Sequence, residues 1–173
     1  MDFSELAHRR YSLRSFEAEA IDPEKVRRIV EAAHAAPTAA NRQPVRLYVL
    51  QSEEERAKVA RGADAYGAPL VIVVCVDRAK AWRRPADGWS SAETDAAILT
   101  DHMMLQATAE GLGSVWICWF DPEAIRCGLD LPSGWEPVNI LAIGRSAEPA
   151  ADPLRHATQR IPLSELVAYG GIA

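Results

Sequence analysis

Three arginines and two serines crowd into one short stretch near the start of the chain, Arg9, Arg10, Tyr11, Ser12, Leu13, Arg14, Ser15 and Phe16. A guanidinium presents a fork of N–H donors that fits phosphate oxygens, and a serine hydroxyl adds a donor beside it. The whole chain carries a formal net charge of -5, so this local concentration of cations needs a reason. Two readings stand: an anion site, most simply for a phosphate, or a solvated charge run at a helix end. A second polar stretch, Pro37, Thr38, Ala39, Ala40, Asn41, Arg42, Gln43 and Pro44, precedes a strand-like run. The Asn41 amide can both donate and accept hydrogen bonds, and a plain turn residue is its other reading. Trp116, Ile117, Cys118 and Trp119 form a third candidate stretch at a strand end, and Arg160 adds a cation near the other terminus.

Other reactive side chains are scattered. His8, His34, His102 and His156 have no ligand spacing, and Cys75, Cys118 and Cys127 are odd in number with none either. No metal site is expected, the thiols fit a reducing cytoplasm, and no nucleophile–base grouping follows from order alone. Asp95 and Asp101 on one helix resemble an acid pair, but a cap and a buried hydrogen bond are the simpler roles.

The elements that must position these residues are legible from caps and periodicity. A short helix is predicted over 2–9. Asp22 and Pro23 open a second one as cap and first-turn residue, Val26, Ile29, Val30 and Ala33 form its apolar stripe, and Pro37 stops it. A strand follows at 45–50, then a short helix with a Ser52/Glu55 capping box. Residues 61–68 are a loop. The run Leu70, Val71, Ile72, Val73, Val74, Cys75 and Val76 reads as a central strand covered on both faces. Residues 81–89 are a surface excursion near a pocket. The longest helix runs from Ser90 or Ser91 to about Gly111, with Asp95, His102, Gln106 and Glu110 as a narrow polar stripe. So apolar a helix is buried on most sides, by its own core or by a second subunit. A strand at 114–117, a helix opening at Asp121–Pro122, a last strand at 137–143 and an extended arm over 145–159 complete the order. Gly111, Leu112, Gly113 and Ser114 fall after a helix and before a strand, the wrong context for a phosphate loop, so a helix stop is expected. Pattern alone permits a doubly wound parallel sheet or a mixed α+β sandwich.

The chain has 173 residues, 49% hydrophobic and 25% charged, which suits one soluble domain spanning 1–173. No apolar run reaches the roughly 18 residues needed to span a bilayer, and the first residues lack the pattern of a secretory signal. The acidic balance argues against nucleic acid as partner. A cytoplasmic location is expected.

The order of these segments resembles the FMN-dependent nitroreductase family. The resemblance rests on Arg10-Tyr11-Ser12-Leu13-Arg14, on the stretch from Pro37 to Pro44, on Gly111-Leu112-Gly113-Ser114-Val115-Trp116-Ile117 with Phe120-Asp121 after it, and on Arg160-Ile161-Pro162-Leu163-Ser164-Glu165-Leu166-Val167. It implies an α+β three-layer sandwich, with a mostly antiparallel sheet flanked by helices, in an intertwined homodimer. It implies FMN as cofactor. Arg10, Ser12, Arg14 and Arg160 would hold its phosphate and ribityl chain, with Tyr11 making backbone contact and Arg9 left on the surface. Pro37, Thr38, Ala39 and Asn41 would reach the flavin from the other subunit. Trp116, Ile117, Cys118 and Trp119 would line its reactive side, with backbone N–H groups at 118 and 119 near N5. The chain departs from the pattern at Thr158, where a second basic residue is common, at Val45, where tryptophan is, and at Trp119, where glycine is. The implied activity is hydride transfer from NAD(P)H to a nitroaromatic, quinone or related acceptor by a ping-pong cycle. A flavin carrier or sensor without turnover, or a divergent activity such as dehalogenation, is the alternative.

Overall fold

The computed structural model describes residues 2–170. In chain order these form α1 (Phe3–Arg9), α2 (Pro23–Ala35), a 3-10 turn (Ala39–Asn41), β1 (Val45–Leu50), α3 (Glu53–Ala57), β2 (Leu70–Asp77), α4 (Ala92–Ala109), β3 (Gly113–Ile117), α5 (Pro122–Gly128) and β4 (Trp135–Gly144). A second 3-10 turn (Pro153–Arg155), α6 (His156–Gln159) and α7 (Leu163–Leu166) follow.

Local chemistry fixes the boundaries. Asp22 accepts from the Glu24 N–H, with Pro23 in the first turn, and Asp121 caps α5 in the same way through Glu123 and Ala124. Ser52 and Glu55 form the reciprocal capping box of α3. Helix α4 ends in a Schellman motif: Gly111, at φ 76°, donates to Thr108 O at 3.0 Å and Leu112 donates to Ala107 O at 2.9 Å.

The sheet has the order β1-β2-β4-β3, and each neighbouring pair is antiparallel. The doubly wound alternative is therefore excluded, and the architecture is α+β. Strand β2 is buried along nearly its whole length, which explains its unbroken apolar run. Leu70, Ile72, Val74 and Val76 face α2 and α4. Val71, Val73 and Cys75 face the opposite layer, built around Val59, Ile125 and Leu131. Burial pushes the Cys75 thiol up to about 12, which makes it an inert core residue. Helix α4 buries Ala92, Ala96, Leu99, Met103 and Ala107 against the sheet and α2. Its C-terminal end is held by Arg28, whose Nε and Nη2 donate to the Glu110 carboxylate at 2.7 and 2.8 Å.

Strand β4 begins at Trp135 and β3 at Gly113, slightly earlier than periodicity predicts. The predicted extended arm over 145–159 contains two short helical turns instead, because Asp152 caps Leu154 and allows the chain to coil there. No helix among the described residues is long and apolar enough to cross a membrane.

Candidate functional site

The basic stretch is not free in solution. Ser12 bridges to Ser114 in parallel fashion on edge strand β3, with Leu13 N–H donating to Ser114 O at 2.9 Å. Four residues on, Phe16 pairs with Ser146. The segment thus runs as an extra edge ribbon beside β3 and the exit of β4. Leu13 is buried and sits against Gly113, where an added Cβ would lie 2.3 Å from Leu13 Cδ2 and 3.1 Å from its Cβ. The second glycine of Gly111-Leu112-Gly113-Ser114 is therefore a docking point for the ribbon, not part of the helix stop. Gly113→Ala is expected to destabilise the protein by about 1–3 kcal/mol, the usual scale of overpacking. Thermal unfolding checks this, and trimming the clash with Leu13→Ala in the same chain should recover little, because that change opens a cavity of its own.

On this ribbon Arg10 is half-buried, and its guanidinium is pushed below its ordinary pKa first by burial, then by Arg155 and Arg160, with Asp101 opposing. Cations from both ends of the chain therefore converge. Arg155 makes this possible: its Nη1 donates to His8 O at 3.2 Å and its Nη2 to Arg10 O at 2.5 Å, pinning the arm to the carbonyl end of α1. His156 adds an edge-on contact to His8, ring centroids 5.3 Å apart. Arg160 follows four residues later, exposed, with its Nε 3.5 Å from His156 Nδ1. Tyr11 donates to Ser146 Oγ at 3.2 Å. Arg14 and Ser12 are exposed, and neither side chain has a hydrogen-bond partner among the described residues. Arg9 lies on the surface, 3.5 Å from Glu5. Excess positive charge with idle donors is what a phosphate would neutralise, so these residues fit a phosphorylated cofactor.

Farther along β3 the side chains alternate. Trp116 is half-buried on the α4 face and Ile117 is in the opposite core layer, so Ile117 offers only its backbone to a ligand. Cys118 and Trp119 are exposed, Trp119 at 93%. Among the described residues neither of their backbone N–H groups donates a hydrogen bond, which leaves two donors at the open end of β3.

The third segment is at the other side of the sheet. Residues 37–43 lead into β1 and are held from below by buried Asp95. Its Oδ1 accepts from Ala39 N–H at 2.8 Å and its Oδ2 from Ser91 Oγ at 2.7 Å. Thr38 Oγ1 accepts from Gln43 N–H at 3.1 Å, and Asn41 Oδ1 accepts from Gln43 Nε2 at 3.1 Å. Ala40, Asn41 and Gln43 all have positive φ, 50°, 52° and 49°, a conformation that costs non-glycine residues about 1 kcal/mol or more each. Pro37 and Asn41 are exposed. Thr38, Asn41 and Gln43 line a cleft of about 390 Å³ with Val30, His34 and Leu99.

The structure sets Arg160 within electrostatic reach of Arg10 and keeps residues 37–41 away from Arg10. Val45 pairs with Val76, which pairs with Glu136, while Ser114 pairs with Ile143. Seven residues along β4 span about 23 Å and three strand spacings about 14 Å. The two segments thus occupy opposite corners of the sheet, roughly 25–30 Å apart.

A family model described as the nitroreductase family matches residues 7–63 and 60–145. The chain belongs to the nitroreductase family. Its fold is shared with a nitroreductase family protein from Clostridium difficile 630, at 46% identity and TM-score 0.96, over 99% of this chain and 100% of that one. It is also similar to an FMN-dependent nitroreductase from Clostridium difficile R20291, 25% identical with TM-score 0.74, over 92% of this chain and 98% of the other. A protein named NADH dehydrogenase from Thermus thermophilus is 28% identical over 98% of this chain and 96% of its own. The nitroreductase-family match ends before Arg160, so for that arginine the nearness to Arg10 rests on the fold and the motif at 160–167. Sequence reasoning missed Arg155, and for Asp95 it gave a cap and a buried hydrogen bond without the partner, Ala39, since each bonds a segment far away in the chain.

Proposed function

We propose that the protein is an FMN-dependent oxidoreductase that takes reducing equivalents from NAD(P)H and delivers them to a nitroaromatic, quinone or related small acceptor. We propose further that it works as a homodimer whose flavin sites lie between two copies. The observation that carries this reading is the cationic cluster of Arg10, Arg155 and Arg160, short of counter-charge, beside an edge strand that ends in unpaired backbone donors. FMN held there would supply the redox chemistry between the nicotinamide and the acceptor.

The chain's own residues do the rest. Arg10, Arg160, Ser12 and Arg14 bind the phosphate end, with Tyr11 fixed to Ser146 behind them and Arg155 holding the arm in place. The N–H groups of Cys118 and Trp119 would serve the ring end, where they would favour negative charge. Pro37, Thr38, Ala39 and Asn41 cannot reach the phosphate cluster of their own chain. They serve the ring from the second copy, which removes the distance problem. The arm supports the same arrangement: Ile161, Leu163, Leu166 and Tyr169 are 59%, 67%, 69% and 87% exposed, more apolar surface than a solvated tail presents. A single open face at Trp119 serves donor and acceptor in turn, hence a ping-pong cycle.

Anaerobic addition of NADH and, separately, NADPH to the flavin-loaded protein tests the activity. Loss of the flavin absorbance with at least one of them, restored by a quinone or nitroaromatic, is the expected result. A spectrum that neither nucleotide changes would leave a flavin carrier in its place.

A further inference from the structure

We propose that the cleft lined by Arg42, Lys80, Trp82 and Arg83 is a subsite for the 2′-phosphate of NADPH, so that the protein prefers NADPH to NADH. This rests on the oxidoreductase reading and adds the identity of the donor. The cleft has a volume of about 520 Å³ and is completed by Ala79 and Ala81. Three of its six lining residues are cations and none is acidic, in a chain of net charge -5.

Two of those cations are largely unspent. Arg42 has no ion pair and no side-chain hydrogen bond among the described residues. Arg83 has one long contact, Nη1 to Gly88 O at 3.4 Å. Lys80 is the exception, paired with Asp77 at 3.5 Å and 5.3 Å from the centre of the Trp135 ring. The neighbouring Arg84 shows the contrast. It is consumed by Asp87 through two bonds of 2.8 Å, and with Arg84 N–H to Trp89 O and Gly88 N–H to Arg84 O, each 2.8 Å, it closes the excursion on itself. Arg83 also pairs with Ser90 across that turn. The result is a braced platform on which Arg83 is exposed while Arg84 does the bracing.

The walls of the cleft are fastened together where residues 37–43 enter the sheet, because Asp77 N–H donates to Pro44 O at 2.8 Å. Arg42 is next to Asn41, the residue assigned above to the flavin ring. A dinucleotide with its nicotinamide on that ring would extend its adenosine end outward past Arg42. Trp82, half-buried, offers an aromatic surface to the adenine. A phosphate monoester carries about -1.5 to -2 charge at neutral pH, more than either phosphorus of the pyrophosphate bridge, so a cleft lined by three cations, two of them without an ion pair among the described residues, favours the dinucleotide that has one.

The test uses the flavin-loaded protein and two readouts. Calorimetry with adenosine 2′,5′-bisphosphate and with adenosine 5′-monophosphate is expected to show the bisphosphate binding about tenfold or more tightly, the scale of one charge-assisted contact. Steady-state kinetics should show Arg83→Ala raising the KM for NADPH about tenfold, with kcat retained and the KM for NADH moved less than about twofold. Arg83→Lys should recover part of the loss. Equal increases in both KM values would place the pyrophosphate in the cleft and overturn the proposal, as would equal binding of the two nucleotides. Should neither dinucleotide reduce the flavin, the oxidoreductase reading fails, and the calorimetry still decides the subsite.

Discussion

Arg10→Ala is expected to weaken FMN binding by about 1.5–3 kcal/mol, the value of a hydrogen bond to a charged group, while leaving the flavin-free protein at least as stable as before. The second half separates a ligand site from a structural cation. Burial, Arg155 and Arg160 together lower the Arg10 pKa relative to the unfolded chain, against a smaller pull from Asp101. A group whose pKa falls on folding binds its proton less tightly in the native state. Holding the charge therefore costs stability at every pH below the folded pKa, which includes the neutral range. Removing the guanidinium relieves that cost in the empty protein and removes a phosphate contact in the loaded one. Equilibrium dialysis against FMN and thermal unfolding without it measure the two effects. A variant that unfolds earlier when empty yet binds FMN as the parent does would reverse the assignment.

The second large effect belongs to Asp95. Its side chain is 1% exposed and accepts from Ala39 N–H and Ser91 Oγ. Asp95→Ala would leave the buried Ser91 hydroxyl and the half-buried Ala39 N–H without this partner, and the expected loss of stability is about 2–4 kcal/mol. Flavin affinity should fall as well, because residues 37–43 hold three non-glycine residues at positive φ and that shape needs an anchor. Asp95→Asn keeps an acceptor for Ala39 and should lose less. Denaturant unfolding with and without FMN checks the pair of effects. Wild-type stability in Asp95→Ala would mean the anchor carries no load.

Much of the fold could be read from local chemistry. Asp22–Pro23, Asp121–Pro122 and Ser52 with Glu55 act within a few residues of themselves, so their caps are where the sequence puts them. The unbroken apolar run of β2 likewise reports burial on both faces. The ordered motifs single out Arg10, residues 37–41 and Arg160, and the fold sets the first and last of these within electrostatic reach of each other. What stayed hidden depends on long separations. Arg155 meets Arg10 across 145 residues and Asp95 meets Ala39 across 56. Nothing near Arg155 in a proline- and alanine-rich arm distinguishes it from a solvated charge. The strained turn was hidden for another reason: Ala40 and Gln43 are not residue types that signal a left-handed backbone. Gly113 looked like part of a helix stop because its partner, Leu13, is a hundred residues away.

The shared site can be tested by mixing. Arg10→Ala damages the phosphate end and Asp95→Ala the loop, so either variant alone should bind FMN poorly. Unfolded together and refolded, they should form mixed dimers in half of all pairings, each with one undamaged site. The account predicts that about one quarter of all sites regain wild-type FMN affinity. If phosphate cluster and loop served the same flavin within one chain, every site would carry one defect or the other, and equilibrium dialysis of the mixture would find no tight sites at all.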